Sequence, residues 1–317
     1  MNNTLGNYLT DYSLLKPSLQ TEISKMLEGL NAPSPTFNLP PIKRKDKYRR
    51  VIAFTSDLHT LSRYALAPKG FISAEGGELK LNPAQEILLK YWMDFIAIAN
   101  KYRADTVCIV GDAIEGQNYR ESGIQLMSTD LDEQVGAAVQ LIKPLVKGKR
   151  LFMWSGSGYH RSTKGHNPEK DVCDHKDLVA VAESTNWMGP ICNLQFPPSE
   201  KIFNIQHGVS AAFIYQEMLM GRESLFINEA EALGKIPKID VVVRGHWHKF
   251  IHIHKNRHAI QLPGWQIYKP WKGSLMSYGK MQPDIGGVII FLDKEDRLTC
   301  WHYLYPLPHV VDNVLMV

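Results

Sequence analysis

Seven side chains able to hold a metal or move a proton follow short apolar runs in this 317-residue sequence. VIAFTS leads into Asp57-Leu58-His59, and TVCIVG leads into Asp112. RLFMWSG runs toward His160, IFNIQ into His207, and VVVRG into His246-Trp247-His248. In extended chain, residues i and i+2 face the same side. Asp-x-His and His-x-His would then each bring two donors to one point, with Leu58 and Trp247 turned into apolar surroundings. Imidazole mixed with carboxylate suits Mn, Fe, Zn, Co or Ni better than Mg alone. Gly111, just before Asp112, has no side chain to keep backbone and metal apart.

Something must bring these residues together. Each apolar run is short and rich in β-branched or aromatic residues, as expected of strands covered on both faces. Open α/β sheets bind ligands beyond the carboxyl ends of their strands. A histidine after one strand is unremarkable by chance; an Asp or His after five is not. Helical stretches separate the runs. The clearest starts at Asn82, a capping residue, with Pro83 at its first position, and continues through AQEILLKYWMDFIAIANKYR. Others are expected over Asp130 to Val146, Lys176 to Ser184 and Ala212 to Leu233. After His248 the pattern changes to hairpins, FIHIHKNRHAIQLPGW and GGVIIFLDKEDRLTCWHYLYPL, the second turning at DKED. Strand–helix units followed by antiparallel strands predict an α/β fold of two packed mixed β-sheets flanked by helices.

Residues 1–42 read as a separate piece. Leu19, Ile23, Met26, Leu27 and Leu30 share one helical face, and NAPSPTFNLPP then ends the helix. The expected organisation is a helical N-terminal extension with a Pro-rich linker over 1–42, and one catalytic-type domain over 43–317. No apolar run approaches the ~18 residues needed to cross a bilayer, and the N-terminus lacks a basic start followed by an apolar stretch. The expectation is a cytoplasmic protein with no membrane contact. Four cysteines without a C-x-x-C pair are expected as free thiols. The net charge of +4 permits an anionic substrate without demanding nucleic acid. Much of the excess lies in KRKDKYRR, read mainly as a solvated linker end.

Five segments in order carry a resemblance: Ser56-Asp57-Leu58-His59, Gly111-Asp112-Ala113-Ile114-Glu115, Gly156-Ser157-Gly158-Tyr159-His160, His207-Gly208, and Gly245-His246-Trp247-His248. Together they resemble the calcineurin-like metallophosphoesterase superfamily over roughly residues 50–265. The resemblance implies a dinuclear site, with two divalent metal ions and manganese as the first expectation. It makes Asp57, His59 and His248 ligands of one metal, Asp112 the bridging carboxylate, and His207 and His246 ligands of the other. It gives His160 the role of protonating the leaving group. Glu115 takes the place of the acidic residue that orients this histidine. A carboxylate close by would raise the imidazole pKa and keep it protonated. Arg161, next to it, is a candidate for steadying phosphoryl oxygens.

One motif departs from the family pattern, which has Gly-Asn-His with the Asn on the second metal. Here Tyr159 precedes His160, in a form similar to phage-encoded members. Ser157 or a water is the candidate to fill the gap.

The implied activity is hydrolysis of a phosphate ester, first of all a phosphodiester, with nucleic acid as one candidate. The alternatives are a phosphomonoesterase acting on a small molecule or phosphoprotein, and an inactive scaffold that keeps the fold. His252 and His254 alternate on a strand and read as its exposed face. His166, His175, His258, His302 and His309 have no partner at ligand spacing.

Overall fold

Alternation along the strands decides how the layers stack. Ile52 and Phe54 enter one apolar core while Val51 and Ala53 enter another, so this strand is covered on both faces. The computed structural model describes residues 36–38, 48–118, 122–160, 167–208, 216–267 and 282–307.

The first sheet contains β2 (Tyr48–Thr55), β3 (Thr106–Val110), β4 (Arg150–Trp154), β5 (Ser184–Trp187), β11 (Ile285–Asp293) and β12 (Leu298–Tyr305), in the order β12-β11-β2-β3-β4-β5. β2 to β5 run parallel, and β11 lies antiparallel between β2 and β12. The second sheet contains β1 (Thr36–Asn38), β6 (Ile191–Gln195), β7 (Ile202–Gln206), β8 (Val241–Arg244), β9 (Ile251–His254) and β10 (His258–Gln261). Its order is β1-β6-β7-β8-β10-β9, with β7, β8 and β10 parallel. All five apolar runs are strands, and both expected hairpins form.

The sheets face one another through Ile52, Phe54, Val110 and Trp154 on one side and Phe203, Ile205, Val243 and Ile260 on the other. Helices α1 (Pro83–Lys101) and α2 (Leu131–Val146) cover the outer face of the first sheet through Leu88, Trp92, Phe95 and Ile142. Short helices α3 (Pro168–Asp174) and α4 (Lys176–Val179) follow β4. α5 (Gln216–Ala232) covers the second sheet, with Met220 and Ile227 packed against Val242 and Ala259. The fold is therefore the expected pair of mixed sheets flanked by helices.

α1 begins where its sequence predicts. Asn82 accepts from the Gln85 backbone, and the Gln85 side chain accepts from the Asn82 backbone. This capping box satisfies two otherwise orphaned donors, and a cap of this kind is worth about 1 kcal/mol.

Three readings change. The Lys176 to Ser184 stretch is only one turn of helix before β5, a strand whose Ser-Thr-Asn-Trp sequence has no apolar run to announce it. Within the segment read as linker, Thr36–Asn38 pairs parallel with β6 as an edge strand; the rest of 1–35 and 39–47 lies outside the described residues. Arg50, at the end of the basic run, is fully buried and held by Asp105, Thr106 and the Pro197 carbonyl, so it is structural and not a phosphate contact. Cys108, Cys173, Cys192 and Cys300 are free thiols. Among the described residues no helix is long and apolar enough to cross a membrane.

Candidate metal centre

Loops leaving β2, β3 and β4 in one sheet meet loops leaving β7 and β8 in the other. The ligand pairs are not extended, as their spacing suggested. Asp57, His59, Asp112, His246 and His248 all have left-handed backbone, with φ between 44° and 85°. Asp and His enter this region more readily than most residues, yet such positions are sparse and cost energy. Here the turn, not strand alternation, aims both members of each pair. Backbone bonds hold it: Asp57 N–H donates to the Gly111 carbonyl (3.1 Å) and His59 N–H to that of Asp112 (3.0 Å).

The side chains form overlapping groups. Asp57, Asp112, His207 and His246 offer ligand atoms within 4.8 Å of one another, and so do Asp57, His59 and His248. Asp57 is the residue common to both; Asp112, which the resemblance makes the bridging carboxylate, lies in the first. Asp57 Oδ1 lies 3.2 Å from His248 Nε2 and 3.7 Å from both His59 Nε2 and His207 Nε2. Its Oδ2 accepts from the His246 N–H at 2.9 Å and from the Ser56 hydroxyl. Oδ1 is buried and has no hydrogen-bond partner. A buried carboxylate oxygen left so is costly in isolation, and a cation among these donors would satisfy it. His59 Nε2 also lies 3.2 Å from His248 Nε2. Two imidazole nitrogens this close suit two ligands of one ion. The residues present therefore fit a divalent metal.

The outer nitrogen of His207 is committed elsewhere. His207 Nδ1 donates to the Val110 carbonyl at 2.6 Å, which turns Nε2 to within 2.8 Å of Asp112 Oδ2. Such anchoring fixes the ring and its tautomer in metal sites. Gly111 makes room for it: a Cβ there would sit 2.5 Å from the His207 ring. Gly156 does the same for the Asp112 carboxylate. The glycines thus serve the ligand side chains directly.

Charge is densely coupled. Burial works against the protonated form of His59, but Asp57 and Glu115 outweigh it and lift its pKa to about 10. His207 rises to about 9 against the same burial cost, through Asp112 and Asp57. Burial likewise opposes ionisation of both aspartates, and the neighbouring histidines overcome it and hold their pKa values far below the usual range. His246 is pushed down by burial and by His207. His160, His246 and His248 are partly exposed and form the mouth of the site; Asp57, His59, Asp112 and His207 are buried behind them.

Comparison with known proteins finds no match among protein-family models or curated proteins. Solved structures similar to this chain include a Danio rerio dimetal phosphatase, at 11% identity over 80% of this chain and 96% of that one, with a TM-score of 0.44. A conserved Streptococcus pneumoniae protein, described as a predicted phosphoesterase, aligns at 10% identity over 81% and 98%, with a TM-score of 0.32. Chaetomium thermophilum Vps29 aligns at 11% over 82% and 100%, with a TM-score of 0.31. By its motif order and two-sheet fold, the chain resembles the calcineurin-like metallophosphoesterases.

Its departures from the metallophosphoesterase pattern have local causes. The Tyr159 hydroxyl donates to Asn118, whose amide donates to Glu115 Oε1 at 2.8 Å. Ser157 stands beside Asp112 instead, giving its N–H to Oδ1 at 2.7 Å and its hydroxyl to Oδ2 at 3.2 Å. The Glu115 carboxylate, which the resemblance sets beside His160, shares a group with His59 and His160 whose ligand atoms lie within 4.8 Å of one another. The carboxylate lies 3.0 Å from His59 Nδ1, off the ideal hydrogen-bond line, and accepts from Gln266 at 3.0 Å. It is the main-chain carbonyl of Glu115 that accepts from His160 Nδ1, at 2.6 Å.

The expectation of a raised His160 pKa is also overturned. Burial lowers it, and the nearby Asp112 and Glu115 carboxylates do not compensate. His160 Nε2 lies 3.9 Å from Asp112 Oδ2, with its ring edge-on to His59 at 4.6 Å. Arg161 lies outside the described residues. Sequence reasoning missed Asn118 and Gln266, polar side chains with no metal-ligand signature of their own.

Proposed function

We propose that this chain is a metal-dependent hydrolase of phosphate esters, with phosphodiesters as the first substrate class. The observation that carries the reading is the pair of ligand groups sharing Asp57, whose Oδ1 is buried without a hydrogen-bond partner. His59 and His248 with Asp57 would hold one divalent ion; Asp112, His207 and His246, again with Asp57, would hold the second. Manganese is the first metal to try. When bound, such ions polarise phosphoryl oxygen and bring the pKa of bound water toward neutrality.

The protein's own part is positioning and proton transfer. Val110 fixes the outer nitrogen of His207 by a hydrogen bond, and the Glu115 carboxylate faces that of His59 at 3.0 Å, so that each ring presents Nε2 inward. His160 is held through Nδ1 and has Nε2 3.9 Å from Asp112 Oδ2, where it would protonate the departing oxygen of the ester. Burial lowers its pKa, so the protonated form that this role needs gains ground as pH falls. Substrate would enter past His160, His246 and His248, the partly exposed edge of the site.

The test is elemental analysis of the purified protein, followed by assay of paired chromogenic mono- and diesters in Mn. Diester hydrolysis abolished by Asp112→Asn and by His248→Ala supports the proposal. Activity surviving both substitutions would sink it. A protein that takes up no metal would be a binding scaffold on this fold.

A further inference from the structure

Away from the site just described, the β9–β10 hairpin gathers three imidazoles on one face. His252 and His254 alternate along β9, and His258 on β10 stands directly opposite His254. His252 Nε2 lies 3.0 Å from His258 Nδ1. The His254 ring lies flat on that of His258, with centroids 3.8 Å apart and planes 9° from parallel. His302, on β12 of the other sheet, lies tilted against Phe250 with centroids 4.5 Å apart.

We propose that His252 and His258 form a second, independent transition-metal site, of the class that takes Zn, Ni or Cu. Imidazole nitrogens bind such ions at about 2.0–2.1 Å. Two nitrogens 3.0 Å apart then subtend about 90° at the ion, a cis arrangement. The same chain sets His59 Nε2 and His248 Nε2 at 3.2 Å in its buried cluster. The pairing rests on a rigid scaffold, since β10 is bonded to β8 and β9 on either side. Stacked parallel to His258, His254 directs its lone pairs in a different plane, so it supports the ring and does not complete the chelate. Both ligands are partly exposed, which lets water complete the coordination sphere. Metal ligands must be neutral imidazoles. Burial, with His254, His252 and Lys201, pushes the His258 pKa down to about 4, and burial with His254 and His302 also lowers that of His252. Lys201 is the cationic neighbour that works against an ion here.

Titration of the full chain with Ni2+, read by calorimetry, tests the site independently of phosphoesterase activity. In an Asp112→Asn/His248→Ala background one equivalent should remain, and His258→Gln added to it should remove that equivalent. In the otherwise native chain, His252→Gln and His258→Gln should each lose one equivalent and keep ester hydrolysis. Lys201→Ala should tighten binding. Cu2+ bound to the same background should show nitrogen hyperfine coupling from two imidazoles. Unchanged Ni2+ stoichiometry in folded His252→Gln and His258→Gln overturns the proposal, whatever the outcome of the hydrolysis assays.

Discussion

Glu115 and His59 face each other across the floor of the metal centre, with Oε2 of one 3.0 Å from Nδ1 of the other. Glu115 also receives His160 Nδ1 on its main-chain carbonyl. One residue therefore steers two histidines through two different groups, and substitution can separate them.

Glu115→Gln leaves the carbonyl in place and removes the charge facing His59. Loss of such an outer partner typically weakens metal affinity or activity by about 10–100-fold. Metal titration should show that loss, with turnover restored at saturating metal. Turnover that stays low in excess metal would mean that the carboxylate acts on His160 as well.

Tyr159→Phe deletes only the hydroxyl that donates to Asn118. The Asn118–Glu115 contact should loosen, and metal affinity should fall by less than in Glu115→Gln. Metal content measured at saturation should stay at the native value. A variant that lost a whole equivalent would make Tyr159 a ligand.

Gly111→Ala places a methyl group against the His207 ring, at a backbone φ of +79° that suits glycine. Adding a side chain at such a position destabilises by more than the ~0.4–1 kcal/mol that Gly→Ala gains at permissive sites. Thermal melting should show the lower stability. Metal analysis should show preferential loss from the group containing His207, while the His59–His248 pair keeps its ion.

The hairpin histidines set a pH dependence. The folded-state pKa of His258 is about 4, below the ordinary value of 6.5, because burial, His254, His252 and Lys201 disfavour its charge. A histidine depressed in this way supports the fold fully above its unfolded pKa, and that support is lost as pH falls from 6.5 through 4. Metal-free protein should melt at progressively lower temperature over this window. His258→Gln should flatten the trend; an identical pH profile in the variant would contradict it.

The strand-end placement of Asp57, Asp112, His207 and His246 was legible because buried strands announce themselves as apolar runs. The aim of each side chain was not. Positive φ at Asp57, His59, Asp112, His246 and His248 depends on the neighbouring loops, which a local pattern does not contain. The same holds for Glu115, whose carboxylate and carbonyl part company only once β3 and β4 lie side by side. His258 had no partner at ligand spacing because its partner comes across the hairpin, six residues away along the chain. β5 was missed for lack of apolar residues.

The left-handed turns also dictate which inert forms of this protein remain faithful in shape. Asparagine tolerates that region as aspartate does, so Asp57→Asn and Asp112→Asn should preserve the loop path while weakening the grip on cations. Alanine in either place would let the chain relax. The asparagine forms are thus the natural traps for crystallising an intact ester in place.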